Sequence, residues 1–323
     1  MRRLFGKEFA FAHVLLAALV LVVTCMPNQR MVTVSYYPLL AGLAVIEVLY
    51  LLRLAALRRR GAFSTGPTDI VVLVWALFIV WDVCATKLDI APTVIVPAPE
   101  AVFNVFFAQA DVIGADIVSS VTLLVMGYVG GLALGVVLGI VCGWIPRLRA
   151  MFFPIANVLA PIPPTVFAPY LIVLLPTFRT ASCFIILLGV FWPQFLNMVV
   201  RTSSLDAQLL DNARTLGVRT FTMITRIILP YVLPEVLKGL RVSLTTAFLM
   251  LTFAEMLGAS SGIGYFISNA NNYANYTNVV AGIIVCGVVV TVLSFATAWV
   301  QRRFTTWRYA AGRGGPCLRH LLS

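Results

Sequence analysis

Eight stretches of this chain are long, apolar and almost free of charge, and that feature constrains it more than any other. They cover roughly residues 9–26, 37–57, 70–86, 117–144, 151–175, 181–200, 242–258 and 278–301. A helix that crosses the hydrocarbon of a bilayer needs about 20 mostly apolar residues, with about 17 as the lower limit. One water-soluble core does not absorb eight such runs. With 61% hydrophobic and 11% charged residues in a chain of 323, the composition falls far from the soluble average of about 25% charged. The expectation is an all-α, polytopic membrane bundle of about eight transmembrane helices.

The net charge of +11 reads as basic loops beside an anionic membrane surface. Basic residues are not interleaved with aromatics on one face, so nucleic acid is not an expected partner, whereas membrane lipid is. With the N-terminus placed in the cytoplasm, every Lys and Arg except Arg30, Lys87 and Arg179 falls on the cytoplasmic side. The positive-inside rule then puts both termini there. The first span follows Arg2, Arg3 and Lys7, yet it is long for a signal peptide and no A-x-A cleavage site follows. It reads as a retained helix. The six cysteines fall singly, and the histidines are His13 and His320. No metal site or disulfide framework follows from that spacing.

Gly127, Gly131, Gly135, Gly139 and Gly143 repeat every fourth residue in the fourth span. They lie near one helix face with no side chain to hold a neighbour off, which marks close helix–helix packing in lipid. The fifth span carries Pro154, Pro161, Pro163, Pro164 and Pro169, with Pro176 after it. Proline removes a backbone donor, and broken backbone at membrane depth needs protein or a water-filled cavity around it. Two readings stand: Pro161, Pro163 and Pro164 line or hinge a translocation path, or the helix is merely kinked.

Between the sixth and seventh spans lies a cytoplasmic stretch of about 40 residues, long for a simple connection. Ser203 and Asp206 form a capping-box pattern. Leu205, Leu209, Ala213 and Leu216 then recur at helical spacing, and Gly217 suits the left-handed position that ends a helix. Thr220 is placed to cap a second helix through Phe221, Ile224 and Ile228, with Pro230 as its stop. The result is a helix–turn–helix knob.

These residues resemble the cytoplasmic "EAA" signature of ABC importer permeases, E-A-A-x3-G-x9-I-x-L-P. It appears here as Asp211, Asn212 and Ala213, then Gly217, Ile227, Leu229 and Pro230, with every interval matching. Asp211 stands for Glu and Asn212 for Ala. The resemblance runs over about residues 68–309 and is nearest the nitrate/sulfonate/taurine-type group. Supporting segments are 97–100, 119–143, 160–164 and 254–265. Two departures are the pair of helices before residue 60 and a stretch, 174–178, without the expected glycine.

What the resemblance implies is a type I importer-like permease core in the bacterial inner membrane. It divides the chain into an extra helix pair with its basic loop (1–66), the core (67–309) with a coupling loop at about 202–236, and a cytoplasmic tail (310–323). It also implies three partners: a second permease copy, most simply a homodimer, an ABC ATPase subunit, and an extracytoplasmic substrate-binding protein. ATPase coupling would fall to Asp211, Asn212, Ala213, Arg214, Leu216, Gly217, Ile227, Leu229 and Pro230. No GxxxxGK[ST] loop is present, so ATP and Mg would be used by the partner. The chain is expected to bind no cofactor and to catalyse nothing itself. A small anion is the implied cargo, of the nitrate, sulfonate or taurine kind.

Acids inside spans are costly and suggest function. Glu255, near the outer end of the seventh span, reads as part of the outer gate or docking surface, or as a hydrogen-bond partner for a helix end. Glu47, in the second span, pairs with another polar group or carries a proton. Residues 259–277, rich in Ser, Asn, Gly and Tyr, read as an outer loop with Gly262-Ile-Gly264 as a tight turn. The alternative function is a stand-alone secondary transporter, which broken helices and buried acids also suit. That reading leaves the knob unexplained.

Overall fold

The computed structural model describes residues 7–59, 65–92 and 94–304, apart from the side chains of Lys7, Arg58, Ala207, Leu209, Arg214 and Phe304. The 310–323 tail therefore lies outside the described residues. Those residues form helices and no strand: α1 (Lys7–Cys25), α2 (Tyr37–Arg59), α3 (Gly66–Asp82), α4 (Pro99–Ala108), α5 (Ala110–Trp144), α6 (Pro146–Leu159), α7 (Ala168–Leu174), α8 (Phe178–Ser203), α9 (Ala207–Thr215), α10 (Thr220–Thr222), α11 (Leu229–Gly258), α12 (Ile263–Asn272) and α13 (Tyr276–Phe304). Among the described residues seven helical runs are long and apolar enough to cross a membrane, or eight if the bent pair α6 and α7 counts as one span.

The chain falls into two compact units. One takes the chain up to Gly114 together with Phe266–Ile284; the other takes Ala115–Tyr265 and the chain from Val285.

In the first unit, α1 packs on α3 and α2 on α4. Leu19, Val23, Leu39, Leu43, Tyr50, Val71, Trp75 and Phe103 form its buried core. Gly42 lets the Phe103 ring occupy the space a Cβ would need. A π turn, Val83–Lys87, closes α3. From it the buried Lys87 ammonium donates to Val23 O (3.1 Å) and Met26 O (3.0 Å) at the end of α1, and to Asn28 Oδ1 (2.7 Å). A cation on the last carbonyls of a helix meets both the orphan acceptors and the negative end of the dipole. Glu47 pairs with His13 across α1 and α2 (Nε2–Oε1 3.1 Å), while His13 Nδ1 lies 2.9 Å from Phe9 O.

In the second unit the glycine face of α5 lies directly on α8. A Cβ built on Gly127, Gly131, Gly135, Gly139 or Gly143 would come within 2.6–3.0 Å of α8 atoms, among them the carbonyls of Cys183, Leu187, Phe195 and Val199. Tyr128 donates from α5 to Leu240 O of α11 at 2.9 Å. α8 and α11 also pack along each other. Thr177 and Thr180 form a reciprocal capping box that starts α8. The expected fifth span is broken: α6 and α7 meet at 84° across the Pro161–Pro164 region, and both pack against α8.

Three local expectations are corrected. Pro230 does not stop a helix. A π turn, Met223–Ile228, joins α10 to α11, so helix runs from Thr220 to Gly258. The wide turn gives the proline ring backbone room that a regular turn lacks. Thr220 is not a cap either, since Arg219 holds that position without a side-chain bond. The 259–277 stretch is not simply a loop, because α12 fills most of it.

Candidate functional site

The knob is built from α9, the Gly217 turn and the start of the helical run at Thr220. Ser203 belongs to α8 and donates to Val200 O (3.0 Å). The cap of α9 is Asp206, whose Oδ1 accepts from Gln208 N (2.9 Å). A carboxylate there also favours the positive end of the helix dipole. At the other end Gly217 has φ +66°, and Val218 N donates to Ala213 O at 3.2 Å. That six-to-one bond is the Schellman arrangement, which places glycine in the left-handed region.

Leu205, Ala213, Met223 and Ile228 are buried with Ile140 of α5, Met198 of α8, and Val232 and Val236 of α11. Leu210, Val218, Ile224, Ile227 and Leu229 pack against them. The knob is thus fastened to three long helices through one apolar cluster. Leu216 is not in the inner stripe: it is 81% exposed, because α9 has ended and the glycine turn swings it outward. Leu210 and Val218 take the inner positions instead. Asp211, Asn212 and Pro230 lie on the exposed side. The side chains of Arg214 and Leu209 lie outside the described residues. Phe221, also exposed, stands across the turn from Leu216 in sequence.

A second cluster sits at the opposite end of α11. Glu255 is 1% exposed. Its Oε1 accepts from Ser120 Oγ (2.6 Å) and its Oε2 from Gly264 N (2.8 Å). Ser120 Oγ in turn accepts from Ile263 N (2.8 Å), and Asp116 Oδ1 accepts from Gly262 N (2.7 Å). Three consecutive backbone donors at the start of α12 are therefore satisfied by side chains of α5 and α11. Gly262 adopts φ +123°, and a Cβ there would strike the Glu255 carboxylate. A Cβ on Gly264 would lie 2.6 Å from Thr252 O. Both glycines are needed for the close approach. The Glu255 carboxylate makes the hydrogen bond to a helix end that one of its two readings expects. Asp116 and Ser120 escaped the sequence reading. Their spacing of four puts them on one face of α5, but their partners lie some 140 residues away.

At the break between α6 and α7, Pro164 is buried and touches the space beside Gly189, where a Cβ would lie 3.7 Å from its ring. Pro161 and Pro163 are exposed, as are Val158, Val166, Tyr170, Val173 and Leu174.

A family profile described as "Binding-protein-dependent transport system inner membrane component" matches residues 135–307, which take in the glycine face from Gly135 on, the proline break, the knob and Glu255. The chain belongs to this family. Its relatives include the taurine transport system permease protein TauC of Escherichia coli, 26% identical over 258 residues, 78% of this chain and 91% of that protein. An aliphatic sulfonates transport permease of Bacillus subtilis, SsuC, is 29% identical over 232 residues, 71% and 83% of the two chains. The nitrate import permease protein NrtB of Synechococcus elongatus is 30% identical over 193 residues, 59% and 69%. These matches identify an ABC importer permease of the nitrate/sulfonate/taurine-type group. A chain of the MetNI methionine ABC transporter, in an inward-facing conformation, gives a TM-score of 0.49 at 18% identity, covering 60% of this chain and 94% of that one.

Proposed function

We propose that this permease forms half of a type I importer path, pairs with a second copy of itself, and is driven by a cytoplasmic ATPase that grips the α9 knob. The observation that carries this reading is the knob itself. Its outer side is exposed, with Leu216 and Phe221 standing free of the apolar cluster, while its inner side is fastened to α5, α8 and α11. A push on α9 is then delivered to three rigid elements at once, which suits a lever. ATP and Mg belong to the ATPase subunit on this reading, and a substrate-binding protein delivers cargo from outside. The exposed face of the broken α6–α7 segment, including Pro161, Pro163 and Tyr170, lines the path, with Pro164 as its inner anchor. Glu255 holds α12 at the outer gate. Both termini face the cytoplasm. The cargo is a small anion, after the nitrate, sulfonate and taurine named for the relatives.

The test is a mild-detergent pull-down of the tagged chain from its native membrane with mass spectrometry, run beside Gly217→Pro and the charge swap Asp211→Arg with Arg214→Glu. Co-purification of an ATPase subunit with the wild type, and its loss or uncoupled uptake in the variants, supports the lever. Unchanged uptake and complex yield in both variants refutes it. A chain that purifies alone and moves solute in liposomes without ATP is a secondary transporter instead.

A further inference from the structure

Outside its membrane helices the first unit carries two connecting segments, residues 26–36 and 88–98 (described except for residue 93), that are unusual for loops in being apolar, internally neutralised and hydrogen-bonded to one another. Both spring from the same end of the bundle. α1 ends at Cys25, α2 begins at Tyr37, and the π turn after α3 ends at Lys87, whose ammonium joins the ends of α1 and α3. The segments are stitched together. Gln29 N and Arg30 N both donate to Thr86 O (3.2 Å each). Arg30 donates through Nε to Asp89 Oδ1, through Nη1 to Val96 O and through Nη2 to Ala91 O, each at 2.7 Å.

Arg30 and Asp89 are the only charged residues of the two segments, and they neutralise one another. Met31 is 97%, Ile90 72%, Val94 61%, Ile95 62% and Leu88 43% exposed. Loops that meet water carry polar and charged tips, and exposed apolar groups gathered on a fixed frame mark an interaction surface. Tyr36 and Tyr37 stand exposed where segment 26–36 enters α2, the aromatic signature of a membrane–water boundary. Each segment starts or ends within a residue or two of a spanning helix, so its apolar side chains stand at that boundary.

We propose that these two segments form an interfacial pad that inserts Met31, Leu88, Ile90, Val94 and Ile95 among the lipids at one face of the membrane, with Arg30 holding the pad in shape. Lipid is the occupant because the segments join spans whose own exposed side chains, Leu21, Val45 and Val80 among them, are apolar. The surface also offers a partner no unpaired charge to recognise, whereas an interface with lipid acyl chains asks only for apolar area. Both segments precede the family match that begins at residue 135.

The experiment places the photoreactive residue benzoylphenylalanine singly at Met31, Ile90 and Ile95 in the full-length tagged protein, irradiates native membranes, and identifies adducts by mass spectrometry. Leu21, exposed on α1 inside its span, is the lipid-facing reference. Phospholipid adducts at all three positions, in yield comparable to Leu21, are the expected result. Crosslinks to a polypeptide would overturn the proposal and make the surface a protein-docking site. An absence of adducts at the three positions while Leu21 still captures lipid would overturn it in favour of a solvated surface.

Discussion

Replacing Gly139 by alanine tests the packing argument most directly. The added Cβ would lie 2.6 Å from Met198 Cβ and 2.7 Å from Phe195 O. A carbon–carbon contact settles at about 3.5–4.0 Å, so α5 must move off α8 by about an ångström or the backbone must deform. Overpacking of this kind costs about 1–3 kcal/mol. Alanine recovers part of that, because it is favoured over glycine in a helix interior by about 1 kcal/mol. The net expectation is a loss of up to about 2 kcal/mol. Gly287→Ala is the matched control, since a Cβ on Gly287 of α13 meets nothing within 4 Å. It should leave stability unchanged or raise it slightly. The assay is thermal unfolding of detergent-purified protein, followed by the fraction that remains monodisperse on size exclusion. Gly139→Ala should melt several degrees below wild type, and Gly139→Leu further below. If Gly139→Ala and Gly287→Ala shift the midpoint equally, the close contact of α5 with α8 is not what holds these helices.

Glu255→Ala leaves Gly264 N–H and Ser120 without their partner, a local cost of about 1–3 kcal/mol; backbone amides of 262–266 should exchange with deuterium faster while α8 is unaffected. Lys87→Met removes three hydrogen bonds from a buried ammonium and should loosen the end of α1, read as faster exchange over 20–30 with little change in the knob. Gly217→Ala puts a side chain at φ +66°, costing about 1–2 kcal/mol; ATPase co-purification should fall, and it should fall much less in Gly239→Ala, where φ is not positive and no neighbour lies within 4 Å.

Much of this protein was legible along the chain because lipid imposes rules that act on short stretches. Spanning helices must be long and apolar wherever they sit, so the spans could be located without any partner in view. The five glycines of α5 announced a close contact by their spacing alone, and Gly217 announced a left-handed turn. The knob followed from a run of about 15 residues whose apolar period, cap and glycine agree with one another. What the sequence could not show depends on residues brought together from afar. It put the cap at Ser203 rather than Asp206, since both are acceptable caps and only the end of α8 decides between them. It stopped a helix at Pro230, because a π turn leaves no local mark. It read 259–277 as a loop, because the donors that start α12 are satisfied by Asp116, Ser120 and Glu255, which belong to two other helices. The same holds for Arg30 and Lys87, two of the three basic residues that the positive-inside rule left on the outer side. Along the chain they are exceptions; in the tertiary structure their charges are spent on carbonyls and Asp89. Local patterning thus determined which segments are helices in a membrane. Only the folded structure decided how buried charge and open backbone donors are satisfied, because a hydrogen bond is set by distance in space and not by spacing in sequence.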